Sequence, residues 1–124
     1  MLINYDEMSV EKFRYLTLLA YFSCKPTNRT SIVRERAKEF YLVGSKPDLT
    51  PAWVSNIVLL GFSVSCRYDK EGVPQYWHVQ RGPEEPENHT LHAHENLNRA
   101  LCTSLVKCFW LLEEDLPELP DWVG

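Results

Sequence analysis

Three histidines, His89, His92 and His94, fall within six residues, and Glu95 follows directly. Imidazole nitrogens and a carboxylate are good zinc ligands. The spacing works against that chemistry, because side chains alternate on an extended strand. His92 and His94 then point one way and His89 the other. Neither an HExxH helix nor a Cys/His finger spacing occurs in the chain. The cluster reads as a solvent-facing strand end, with His94 or Asn96 helping to cap the helix after it. No metal or other cofactor is expected.

Covalent catalysis finds less support. Ser63, Ser65 and Ser104 lack the glycine pattern of a nucleophile elbow, and Cys102 and Cys108 fall on an apolar helix where a thiol is buried and inert. Paired carboxylates occur only in a loop and a tail, where nothing would raise a pKa. The five glycines are isolated, so no phosphate-cradling loop is present. These residues argue against an enzyme.

Two other groups of residues suit binding. Tyr76, His78 and Gln80 on one strand can neighbour Ser63, Ser65 and Arg67 on another. That face offers stacking, hydrogen bonds and a cation, with Arg81 at the strand end and Arg99 early in the last helix adding charge. The alternative is a sheet face covered by a helix. The second group is acidic: Glu113, Glu114, Asp115, Glu118 and Asp121, with Trp122 among them, in a proline-broken tail over 113–124. Trp122 and Val123 are costly to leave in water and should dock on the domain or on a partner.

The elements that position these groups follow from periodicity. Asp6 or Ser9 can cap a first helix to about Ser23, with Phe13, Leu16 and Ala20 on one stripe. A second helix from Thr30 carries Ile32, Val33, Ala37, Phe40 and Tyr41 at helical spacing. Arg29, Arg34, Arg36 and Lys38 make it the most basic stretch. It reads as a phosphate contact or as a solvated face with Glu35 and Glu39 supplying i,i+4 pairs. Thr50-Pro51 starts a third helix, carrying Trp53 and Ile57 and stopped by Gly61. The period then changes to two: Phe62 to Tyr68, a turn at Asp69–Gly72, and a return strand from Gln75 to Arg81. His89 to Ala93 is a third strand. His94 to Asp115 follows as the helix around which the chain is organised, with Leu97, Leu101, Leu105, Cys108 and Leu112 on its stripe and Phe109 and Trp110 beside it.

The fold class expected is α+β, an α-β-α sandwich-like arrangement with a three-stranded antiparallel sheet and helices before and after. At 124 residues the chain reads as one domain, long enough to fold without metal or disulfide. Cys24, Cys66, Cys102 and Cys108 are expected to be buried free thiols. No apolar run spans a membrane and no signal-peptide pattern follows Met1, so a cytoplasmic location is expected. The net charge of −4 divides unevenly: residues 1–62 carry 8 basic and 6 acidic side chains, residues 63–124 carry 5 and 11. An acidic second half argues against general nucleic-acid binding.

DLTPAWVSNIVLLGFSVSC, YWHV and HAHENLNRALCTSLVKC together resemble a family of small phage proteins, the phage α-β-α sandwich domain, to which NinX-type phage proteins are close. The likeness covers mainly residues 48–108, and NYDEMSVEKFRYLTLLAYF is similar to the opening helix. Where the family often has a tyrosine-serine pair before its middle helix, this chain has Leu49-Thr50. The resemblance implies phage or prophage origin and an α-β-α sandwich, and it brings no catalytic residues.

The function expected is therefore a non-catalytic phage binding protein in the host cytoplasm. It would bind and inhibit a host protein, a defence component, through Glu113, Glu114, Asp115, Glu118, Asp121 and Trp122. The alternative is a sponge for a nucleotide-type signalling molecule, with Arg67, Tyr76, His78, Arg81 and Arg99 as ligand residues and Arg34 and Arg36 as further cations. An aromatic-rich domain of this size could also form a homo-oligomer.

Overall fold

The computed structural model describes residues 1–24, 29–51, 61–81 and 90–124. The chain is α+β, with helices α1 (Val10–Ser23), α2 (Thr30–Leu42) and α3 (Leu97–Lys107) and an antiparallel sheet of β1 (Phe62–Tyr68), β2 (Pro74–Arg81) and β3 (Thr90–His94) in the order β1-β2-β3. It forms two compact units, residues 1–47 with 105–124, and residues 48–104.

In the first unit, Ser9 caps α1 by accepting the Lys12 amide at 3.3 Å. Phe13, Leu16, Leu19, Ala20 and Phe22 are buried as their spacing predicts. Helix α2 is regular and buries Val33, Ala37 and Tyr41, but Ile32 and Phe40 from the same apolar set are partly exposed. The anticipated pairs of Glu35 and Glu39 do not form: among the described residues α2 holds no ion pair. Its charges are solvated singly. Residues 1–3 and 111–113 pair as a short antiparallel ribbon, with Ile3 donating to the Leu111 carbonyl and Glu113 to the Met1 carbonyl, both at 3.0 Å.

That ribbon corrects the reading of the last helix, which ends at Lys107 rather than running to Asp115. Cys108 and Phe109 donate to Leu105 and Val106, three residues back, which tightens the final turn. The buried Tyr5 hydroxyl then donates to the Trp110 carbonyl at 2.6 Å, and the chain leaves in extended form to meet residues 1–3. Leu112 and Phe109, expected on the buried stripe, are 40% and 41% exposed. Glu113–Asp115 form one 3-10 turn.

In the second unit the hairpin register is Ser63 opposite Gln80, Val64 opposite Val79, Ser65 opposite His78, Cys66 opposite Trp77 and Arg67 opposite Tyr76. At the turn, the Asp69 carboxylate accepts the amides of Glu71 and Val73, both at 2.9 Å, and Gly72 takes the left-handed φ of +81°. A register shift at Arg67/Tyr68 breaks the alternation, which is why Tyr68 is exposed rather than inward. The third strand is displaced by one residue from the expected span, and His89 lies outside the described residues. Trp77 faces His94 and Val79 faces His92 across β2 and β3. Helix α3 is buried almost all round from Ala100 to Val106. The expected helix from Pro51 to Leu60, with Thr50 as its cap, is described only at Thr50 and Pro51. There the Asp48 carboxylate accepts the Thr50 amide at 2.9 Å.

All four cysteines are free, and Cys102 alone is fully buried; the other three are half-buried. Burial pushes the Cys102 thiol up to about 12. No helix among the described residues is long and apolar enough to cross a membrane.

Candidate binding surfaces

His92 and His94 share one sheet face, their rings stacked at 6.2 Å and 19°. His94 Nδ1 accepts the Asn96 amide at 2.9 Å, and Asn96 Oδ1 accepts the Arg99 amide at 2.9 Å. Both residues therefore cap α3, the role their position suggested. No group of three metal-ligating side chains occurs among the described residues.

The polar sheet face assembles as anticipated, with Arg67 directly opposite Tyr76 and His78 opposite Ser65. Its two ends differ. Arg67 and Tyr76 are exposed, whereas Ser63 Oγ is buried with no hydrogen-bond partner among the described residues. Arg81 pairs with Phe62, so the period of two sets it on the opposite face, with Trp77 and Val79. Arg99 stands in the first turn of α3, half-buried. The sheet thus brings together Arg67, Tyr76 and His78, and directs Arg81 elsewhere.

The acidic segment also divides. Glu113, Glu114 and Asp115 are exposed on the 3-10 turn, and Glu114 accepts from the Met1 ammonium at 2.7 Å, a contact that lowers its pKa. The turn adjoins the ribbon, where Leu2 is 69% and Leu111 54% exposed and Met1, Leu112 and Phe109 are also open. The ribbon thus carries a strip of open apolar side chains, Leu2 and Leu112 opposite each other and Leu111 next in sequence, with exposed carboxylates at its end. Sequence reasoning assigned Leu111 and Leu112 to a helix and so missed it. Next to the strip a cleft of about 670 Å³ is lined by Ile3, Glu7, Lys12, Glu113, Leu116 and Pro117, among others.

Trp122 docks on its own domain. Its ring meets Tyr15 of α1 edge-on at 5.3 Å and Tyr41 of α2 at 5.4 Å, with Lys38 Nζ 5.7 Å from its centroid. Around Tyr41 the polar groups interlock. Arg14 donates to the Tyr41 and Ser45 carbonyls at 2.9 and 3.0 Å and to Glu11 at 2.7 Å, and its guanidinium lies 3.9 Å from the Tyr41 centroid. The Tyr41 hydroxyl donates to the same Glu11 oxygen at 2.7 Å and accepts the Gly124 amide at 3.2 Å. These contacts from Arg14 and Tyr41 hold the Glu11 carboxyl below its ordinary value.

On another side Trp122 lines a cleft of about 510 Å³ with Tyr15, Arg34, Glu118, Leu119, Pro120 and Asp121. Burial raises the Tyr15 phenol while the Arg34 charge pulls the other way. Glu118, Asp121 and Trp122 came from the acidic tail and Arg34 from the basic helix. Their meeting depends on where the tail docks, which no local pattern in the sequence sets. No protein-family model matches this chain, and comparisons with curated proteins and with solved structures return no match.

Proposed function

We propose that this protein is a non-catalytic, phage-encoded binding protein that acts in the host cytoplasm by binding and inhibiting a host defence protein. The observation that carries this reading is the ribbon strip: Leu2, Leu111, Leu112 and Phe109 lie open to water beside Glu113 and Asp115. A strip of apolar side chains rimmed by charge is how protein-binding surfaces are commonly built. The host setting rests on the resemblance of residues 48–108 to phage α-β-α sandwich domains.

The test is affinity capture from host cells carrying active phage defences, with the wild-type protein beside a Leu2→Ser/Leu111→Ser/Glu113→Lys variant. Wild type should retain one host protein in stoichiometric amount. The variant should retain at least about tenfold less, the size of a single lost hot spot. Equal capture by both would remove the ribbon from the interface, and no capture by wild type would remove the reading. The second reading, sequestration of a nucleotide-type molecule, draws on the open pair Arg67 and Tyr76 beside His78. A stoichiometric small-molecule mass in the native mass spectrum of the gently purified protein would favour it.

A further inference from the structure

The cleft between α1, α2 and the docked tail presents four polar groups that the fold itself leaves unused. Tyr15 is only 4% exposed, yet its hydroxyl has no hydrogen-bond partner among the described residues. The hydroxyl oxygen itself keeps surface open to solvent, so water or a ligand in the cleft can meet it. Arg34, Glu118 and Asp121 line the same cleft and form no hydrogen bond or ion pair, with each other or with any described residue. Opposite charges facing one cleft without pairing are what a ligand carrying both an anion and hydrogen-bond donors would find complementary. Leu119, Pro120 and the half-buried Trp122 supply an apolar wall, and the volume of about 510 Å³ suits a small organic molecule.

The chemistry narrows the ligand. A guanidinium and a phenolic hydroxyl lining one cleft can both donate to a phosphate, and Lys38 above the Trp122 ring adds positive potential nearby. Carboxylates accept from paired hydroxyls or an exocyclic amine. The apolar wall suits a planar body. We propose that this cleft binds a small ligand of the nucleoside-phosphate class. Its phosphate meets Arg34 and the Tyr15 hydroxyl, and the donors of its sugar or base meet Glu118 and Asp121. The inference stands apart from protein capture by the ribbon. It gives the sequestration reading a site in the first unit instead of on the sheet.

The experiment uses the purified full chain alone, so its outcome is independent of host-protein capture. The indole N–H resonance of Trp122, identified with a Trp122→Phe variant, is followed during titration with AMP, with adenosine and with inorganic phosphate. AMP should shift it saturably, with adenosine and phosphate each binding at least about tenfold more weakly. Arg34→Ala should weaken AMP binding by about tenfold or more, and Tyr15→Phe, which keeps the ring and its packing, by a smaller factor of roughly three to ten. The proposal is overturned if AMP gives no saturable shift up to about 10 mM. It is equally overturned if phosphate alone binds as well as AMP, or if Arg34→Ala binds AMP like the wild type.

Discussion

Trp122 touches two clusters built from the same three segments, and they use their polar groups in opposite ways. Around Tyr41, Arg14 spends its donors on two carbonyls and Glu11, and the Tyr41 hydroxyl both donates and accepts. Around Tyr15, the hydroxyl, Arg34, Glu118 and Asp121 spend nothing on one another. Residue type does not separate the two: each has a tyrosine, an arginine and at least one carboxylate. What separates them is whether hydrogen-bonding capacity has been used in folding. The first cluster fastens α1 to the end of α2 and holds the tail. The second packs through the Tyr15 ring, but leaves its hydroxyl and three charged groups unspent.

The sharpest way to break this comparison is to remove an arginine from the satisfied cluster. Arg14→Ala leaves the Tyr41 and Ser45 carbonyls without their donor and Glu11 without its cation. The loss should be about 2–4 kcal/mol, in the range for a network of charge-assisted bonds on a largely buried side chain. Urea unfolding followed by circular dichroism measures it. A loss below about 0.5 kcal/mol would make the Arg14 contacts ornamental and dissolve the contrast.

The same cluster should respond to acid. The Glu11 carboxyl is held below its ordinary value by its bonds to Arg14 and Tyr41. A carboxylate lowered in the folded state adds stability above its unfolded pKa, and that stability is lost as pH falls through the lowered folded value. Unfolding midpoints should therefore drop on acidification below the ordinary value of 4.5, and Glu11→Gln should flatten that part of the profile. Glu114, lowered by the Met1 ammonium, titrates in the same direction and would remain in the variant. An unchanged acid slope in Glu11→Gln would assign the whole effect elsewhere.

Much of this architecture was legible in the sequence because it depends on local pattern. The three-four spacing of Phe13, Leu16 and Ala20 placed α1, and the period of two from Phe62 to Arg81 placed the hairpin with its polar face; the register that pairs Arg67 with Tyr76 is not in that pattern. The same period sends Arg81 to the face opposite His78. The end of α3 was not legible. Residues 111–113 continue a helical pattern, and only pairing with residues 1–3, more than a hundred positions away, draws them into an extended ribbon. The cleft was hidden for the same reason. Arg34 and Trp122 each stood out by type, but nothing local says that the tail folds back onto α1 and α2.

The smallest expected effect is the most telling one. Arg34→Ala removes an exposed arginine from the unsatisfied cluster, with no described hydrogen bond or ion pair to lose. Substitutions at such positions change stability by about 0.5 kcal/mol or less. Removing this cation also leaves Glu118 and Asp121 in water-accessible positions, where they need no partner to stay charged. Measured in the same urea titration as Arg14→Ala, Arg34→Ala should unfold with the wild-type midpoint. A loss of 1.5 kcal/mol or more, roughly tenfold in the folding equilibrium, would mean that Arg34 fastens the tail as Arg14 fastens α2. The two clusters would then be one structural network, and the cleft would lose its claim to spare binding capacity.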